Sequence, residues 1–336
     1  MMTILETSAL NTVQDLGRPG YRNLGVGTSG VMDAIALQVG NILLGNQMDD
    51  ACIELQTYPF VLRFDAPASF AVTGIDAAIE VDGRTILPWT VETVAAGQVL
   101  RVGAPRTGAR GYICIAGGIE VPVVLGSRST QLRGGFGGLD GRPLETGDML
   151  KTTGATLDVA GYGAVPPATV LDAVASEDDA KVIHLRAMPA TDYELFTPES
   201  RQRLWDTPWR ITPQSNRVGY RLSGAPLELN HRVELRSYGV IAGIVQVPPA
   251  GEPIVQLADA NTVGGYPRIV TVIEADLWRL AQARIGTHIR FHECSFAEGV
   301  AAMQPVNAYL DDLRMMVAHY RTSARCRAGI KSGDKA

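Results

Sequence analysis

A chain of 336 residues with 46% hydrophobic and 19% charged residues carries enough apolar content for about two ordered cores. Its net charge of −5 and pI near 5.6 argue against non-specific binding to nucleic acid or anionic membranes. Residues 1–11 lack the basic-then-apolar pattern of a secretory signal, no apolar run matches a bilayer, and Cys52, Cys114, Cys294 and Cys326 form no C-x-x-C pair, so a cytoplasmic chain with reduced thiols is expected.

The chain begins with a short strand over 3–5, followed by a loop over 11–22 by composition. In that loop Asp15 either caps backbone N–H groups and pairs with Arg18, or joins Gln14 and Arg18 in a polar site. Ser29-Gly-Val-Met-Asp33 opens a helix with Ile35, Val39, Ile42 and Leu43 on one face, ended by Gly45-Asn46. From Ala51 the period becomes two, with strands over 60–64, 69–72, 78–81, 85–87, 99–102 and 111–116. Asp82-Gly83 between two of them is a hairpin signal. A glycine-rich region over 126–138 follows. Arg128, Ser129, Thr130 and Arg133 among its glycines suit a phosphate or carboxylate, or else form a solvated loop. It is neither a Walker A motif nor a dinucleotide fingerprint, because no Lys follows the glycines and the spacing fails at Asp140.

A first domain over 1–165, a linker over 166–180, a second domain over 181–296 and a helical, fraying tail over 297–336 are expected. The second domain opens with a strand over 181–186. Thr197-Pro198-Glu199 then starts a helix with Thr197 as N-cap, and Trp205 and Trp209 near its end belong to a core. Loop and strand resume at Ser215–Leu222. The last elements are a strand over 268–273, a helix over 274–283, a strand over 288–291 and a helical stretch over 297–320.

Residues 237–268 concentrate the polar groups. Two apolar runs flank a Pro-Pro-Ala-Gly turn and carry Gln246, Gln256 and Asp259 at their ends. Asn261-Thr-Val-Gly-Gly-Tyr-Pro267 follows and cannot be helical. The stretch is either a recognition loop on a rigid scaffold or a glycine-rich hairpin closing a barrel. It has an earlier echo: Ile115-Ala-Gly117 matches Ile241-Ala-Gly243, and Gly134-Gly-Phe136 matches Gly264-Gly-Tyr266, at offsets of 243 − 117 = 126 and 264 − 134 = 130. Two features in the same order at nearly one offset suggest a duplicated domain. Many short strands with Gly and Pro turns fit β-barrels or sandwiches, not a Rossmann or TIM fold.

No H-E-x-x-H, no third ligand beside His288 and His292, and no G-x-S-x-G elbow is present, so neither a metal site nor a serine hydrolase is expected. What remains suits recognition of an amide- or carboxylate-bearing small molecule. Asp259, Gln246 and Arg217 are candidate catalytic groups, and Tyr220, Gln256, Asn261, Thr262, Gly264, Gly265 and Tyr266 are candidate binding groups. Arg128, Ser129, Gln14, Asp15 and Arg18 join the binding candidates from the first half.

Several ordered motifs together resemble one family. They are Thr12-Val-Gln-Asp-Leu-Gly-Arg-Pro-Gly-Tyr21, Ser29-Gly-Val-Met-Asp33, Ala116-Gly-Gly-Ile119, Leu125-Gly-Ser-Arg-Ser-Thr130, Gly135-Phe-Gly-Gly138, Ser215-Asn-Arg-Val-Gly-Tyr-Arg-Leu222, Gln246-Val-Pro-Pro249 and Gly264-Gly-Tyr-Pro267. Over about residues 3–296 the chain is similar to the allophanate hydrolase subunit 2 family, also called the 5-oxoprolinase C-subunit family or the biotin-dependent carboxyltransferase family. The resemblance implies a mainly β protein of two tandem cyclophilin-like β-barrel domains. It implies a component of an ATP-dependent 5-oxoprolinase-like complex that hydrolyses 5-oxoproline, or a related lactam or amide, to glutamate. The implied partners are a subunit 1 protein, the B type of 5-oxoprolinase, and a third subunit. Other members of the family imply two alternatives: the carboxyltransferase component of a biotin-dependent urea or amide carboxylase, with biotin supplied by another chain, or a non-catalytic regulator of a kinase-inhibitor-like protein. Where the family carries Gln-Thr-Thr-Gly-Gly-Tyr-Pro, this chain has Asn261-Thr-Val-Gly-Gly-Tyr-Pro267, which shortens one amide and removes one hydroxyl.

Overall fold

A computed structural model describes residues 1–153, 155–171 and 182–333. The fold is mainly β with few helices and divides into two compact units. One unit comprises Met1–Leu16, Ala34–Leu171 and Asn307–Ala336, and the other Gly17–Asp33 and Asp172–Val306. The division differs from the sequence boundaries: Gly17–Asp33 groups with the second half and the C-terminal segment with the first. Of the expected linker, Pro167–Leu171 is a short helix, and residues 172–180 lie outside the described residues, as does Lys181 of the expected strand.

The first unit is built from two antiparallel sheets. One has seven strands, in the order Ile119–Glu120, Met149–Thr152, Met2–Glu6, Phe60–Phe64, Val99–Thr107, Asp76–Val81 and Arg84–Ile86. The other has five, in the order Thr12–Gln14, Cys52–Leu55, Gly111–Ile115, Ala68–Thr73 and Val91–Val94. Strand side chains alternate between faces, and the inward set from both sheets forms one core, with Ile4, Leu62 and Phe64 meeting Phe70, Val72 and Ile113. Asp82 and Gly83 take φ of 48° and 79° and join Val81 to Arg84 across a two-residue hairpin, as their sequence requires. The helix Ala34–Leu44 starts directly after Asp33 and ends at Gly45, whose φ is +71°. It lies against the five-stranded sheet closely enough that a Cβ on Gly40 would stand 2.5 Å from Cys114 Sγ. The final helix runs from Met303 to Gly333, past the end of the helical stretch expected over 297–320. Leu310, Leu313 and Val317 recur at helical spacing and are buried, and the Ala- and Arg-rich continuation favours helix.

The second unit contains a closed barrel of seven strands, in the order Val182–Pro189, Arg268–Val272, Ile244–Gln246, Ile254–Gln256, Gly219–Ser223, Trp209–Ile211 and His288–Glu293. Parallel pairing of the first with the last, from Val182 with His288 to Ala187 with Glu293, shuts it. Leu185, Trp209, Tyr220, Val245, Val255, Val270 and Phe291 fill the interior. Thr197 caps the helix Pro198–Asp206 by accepting the Ser200 N–H, as expected. A separate two-stranded ribbon pairs Tyr238–Gly239 with Val263–Gly264. The repeated Ile-Ala-Gly words adopt the same turn in both units. Gly118 N–H bonds Ile115 O at 2.9 Å and Ile244 N–H bonds Ile241 O at 3.3 Å, each across a left-handed glycine, Gly117 or Gly243.

Candidate functional site

Val245 and Val255 face each other across two barrel strands and point into the core. Alternation therefore puts Gln246 and Gln256 on the outer face of the barrel. An outer face is normally wet, yet each glutamine is only 6% exposed. The ribbon provides part of the cover: Gln246 Nε2 donates to the Tyr238 hydroxyl at 3.0 Å, and a Cβ on Gly264 would stand 2.5 Å from that nitrogen. Gly264 is thus the residue that lets the ribbon close over a carboxamide.

The direction of this network is set at its far end. The Tyr238 hydroxyl donates to the backbone carbonyl of Tyr266, which can only accept. The Tyr238 oxygen must therefore accept from Gln246, which presents Nε2 to it and turns Oε1 toward Gln256. Gln256 answers with Nε2 at 3.0 Å. One backbone carbonyl orients both amides, and Gln256 keeps Oε1 and one N–H beyond the network.

Tyr238 is itself clamped. The Arg268 guanidinium lies 3.7 Å from its ring centroid, and the same guanidinium pairs with Asp192, with Nε to Oδ2 at 2.8 Å. Asp192 also accepts the Arg268 backbone N–H at 3.0 Å. Burial pushes the Tyr238 phenol above its ordinary range, against the lowering effects of Gln246 and Arg268, so it stays protonated and able to donate at neutral pH. Sequence reasoning missed Tyr238, Arg268 and Asp192. Tyr238 and Arg268 border the polar stretch, but Asp192 lies far upstream and carries no motif.

The other second-unit candidates divide between two environments. Arg217 and Asp259 form a buried pair, with Nε to Oδ2 at 2.8 Å and Nη2 to Oδ1 at 3.2 Å. Arg217 Nη2 also donates to Gly30 O at 2.5 Å, so this pair anchors the segment Gly17–Asp33. With both oxygens of Asp259 engaged, the geometry suits positioning better than general-base chemistry. Tyr220 is 2% exposed in the barrel core and donates to Ala283 O at 3.4 Å, a packing role in place of the expected binding one. Asn261, Gly265 and Tyr266 are exposed and Thr262 and Gly264 half-buried, all in or beside the ribbon. Arg22 reaches Asn261 O at 3.5 Å, and the Arg18 side chain is fully buried.

In the first unit, Asp15 organises the loop that the sequence offered as an anion site. Its Oδ1 accepts from Ser127 at 2.6 Å and Ser129 at 2.5 Å, and its Oδ2 accepts the Arg128 N–H at 2.5 Å. Gln14 Nε2 donates to Thr12 Oγ1 and Thr130 O, while its Oε1 is buried and meets no donor among the described residues. The glycine-rich part closes on itself: Gly134 N–H goes to Gln131 Oε1, Gly135 N–H to Gln131 O and Gly138 N–H to Arg128 O. N–H groups committed in this way form no phosphate cradle, which corrects the anion-loop reading. Capping of a backbone N–H by Asp15, the structural alternative, is what the fold uses. The exposed His292 ring meets His184, Nε2 to Nδ1 at 2.6 Å, on the neighbouring strand.

The family described as carboxyltransferase domain, subdomain A and B, matches residues 24–293. The chain is 38% identical over 317 residues to the C subunit of 5-oxoprolinase from Haemophilus influenzae, covering 94% of this chain and 99% of that protein. It is 37% identical over 313 residues to the C subunit of 5-oxoprolinase from Escherichia coli, covering 93% and 97%. Among solved structures, the K. lactis urea amidolyase matches with a TM-score of 0.83 at 26% identity, covering 93% of this chain and 20% of that one. This chain thus corresponds to about a fifth of that larger protein.

Proposed function

The chain belongs to the carboxyltransferase domain family, subdomain A and B, and on that premise we propose that it is the C-type component of a 5-oxoprolinase-like assembly. The observation that carries the reading is the likeness to two 5-oxoprolinase C subunits along nearly the whole of both chains. The substrate is 5-oxoproline or a close lactam, and the product is the ring-opened amino acid, glutamate, formed by addition of water across the amide. Gln246 and Gln256 hold the amide, with Asn261, Thr262, Gly264, Gly265 and Tyr266 around them. Arg217 and Asp259 keep the underlying segment in place.

A lactam resists attack by water, and ATP is the usual source of activation in such a complex. The glycine-rich loop that the sequence offered for phosphate has its N–H groups internally bonded, so this chain does not fit ATP there, and activation falls to a B-type partner or a third subunit. A second reading, a carboxyltransferase component that takes biotin from another chain, is favoured by the match to urea amidolyase.

The test is to isolate the chain with its native partners and assay ATP-dependent glutamate formation from 5-oxoproline. Turnover by the assembly, lost with Gln246→Met, supports the proposal. A biotinylated partner with bicarbonate-dependent turnover replaces it with the second reading.

A further inference from the structure

The hydrogen-bond direction within the glutamine pair narrows what the site can read. Gln256 gives one N–H to Gln246 Oε1 and retains a second N–H and Oε1, which no described donor reaches. A primary carboxamide that gives its anti N–H to a neighbour presents its oxygen and its syn N–H side by side, an adjacent acceptor and donor. The matching ligand has its own N–H and C=O on the same side of the amide bond. Secondary amides in open chains are trans and place the two on opposite sides. A five-membered lactam is locked cis, and urea presents the same edge on either side of its carbonyl.

We propose that Gln256, oriented by Gln246, recognises a cis amide edge, accepting the ligand N–H on Oε1 and donating its remaining N–H to the ligand carbonyl. The inference rests on the small-amide reading above and adds the feature by which substrates are selected. Gln246 acts as a positioning residue: its Oε1 fixes Gln256, and its own orientation descends from Tyr238 and Tyr266.

The experiment is equilibrium binding to the purified chain, and in parallel to the complex isolated with its partners, of 5-oxoproline, N-methyl-5-oxoproline, urea and N-acetylglycine. N-methylation removes the donated proton and puts a methyl group in its place, while the ring and the carboxylate are kept. The expected result is binding of 5-oxoproline, weakening by roughly 10- to 100-fold on N-methylation, the effect of stranding one buried acceptor, and no binding of the trans amide N-acetylglycine. Gln256→Met, checked for unchanged thermal unfolding, should erase the difference between the two lactams. If both lactams bind equally to the unaltered protein, the inference is overturned and the lactam reading stands. Binding of urea alone keeps the cis-edge inference and overturns the lactam substrate. Binding of none of the four overturns both.

Discussion

Tyr238 donates its hydroxyl to the carbonyl of Tyr266, and through that bond a backbone atom of the ribbon dictates the orientation of two side chains on the barrel wall. Replacing Tyr238 with Phe removes a donor and an acceptor together. Gln246 then has no reason to point its nitrogen at the ribbon. The expected outcome is a loss of about 1–3 kcal/mol in denaturant unfolding and a larger proportional loss of amide binding. The phenol adds a pH signature. Its folded pKa lies above the unfolded value because of burial, so its contribution is fully present below about pH 10 and fades as pH rises through the folded value. Tyrosinate absorbance during alkaline titration should show late ionisation from Tyr238 and from the half-buried Tyr162, and Tyr238→Phe should remove one of these two steps.

Gly264→Ala tests the closeness of the ribbon. The new methyl would meet Gln246 Nε2 at 2.5 Å, so the carboxamide must move. Affinity for the small amide should fall by about tenfold or more, equivalent to roughly 1.4 kcal/mol, with little change in thermal unfolding. Gly239→Ala, on the facing strand with nothing within 4 Å of the added atom, is the control.

Arg217→Met strands Asp259 in a buried site. Breaking such a pair from one side costs about 3–5 kcal/mol, and the segment Gly17–Asp33 loses its bond through Gly30 O. Limited proteolysis should then cut within that segment. The double variant Arg217→Met with Asp259→Leu should recover much of the loss, and a double-mutant cycle checks this.

The first unit has its own acid limit. Two hydrogen bonds from Arg142, helped by the Glu145 N–H, hold the Asp148 carboxyl below the usual range. A lowered folded pKa means the contribution is present above the ordinary value of about 3.9 and is lost as pH falls through the folded one. Asp148→Asn should destabilise by about 1.5–3 kcal/mol at neutral pH, with the gap to the unaltered protein closing in acid. Urea unfolding at neutral and acid pH measures it.

Local chemistry was legible in the sequence wherever one or two neighbouring residues sufficed. Asp82-Gly83 can make few turns other than the hairpin observed, and Thr197-Pro198 can do little but start a helix. Gln246 and Gln256 stood out because polar groups end two apolar runs, and their partnership required only that the runs be adjacent strands. The misjudged residues were those whose meaning depends on strand parity or on distant partners. Tyr220 reads as a binding phenol until pairing with Val255 turns it into the barrel. Asp259 reads as a free base until Arg217, 42 residues away, occupies both its oxygens. The clamp on Tyr238 joins Asp192 to Arg268 across 76 residues, a relation no local pattern carries.

The parallel pairing of Val182–Pro189 with His288–Glu293 also has a consequence during synthesis. The strand that opens the barrel leaves the ribosome long before the one that shuts it. Through that interval Val182–Pro189 has an unpaired edge, the kind of surface on which nascent chains adhere to one another. Only when His288–Glu293 emerges can the edge be sealed. A chain stalled before that strand should therefore be a client for chaperones, and one stalled beyond it should not.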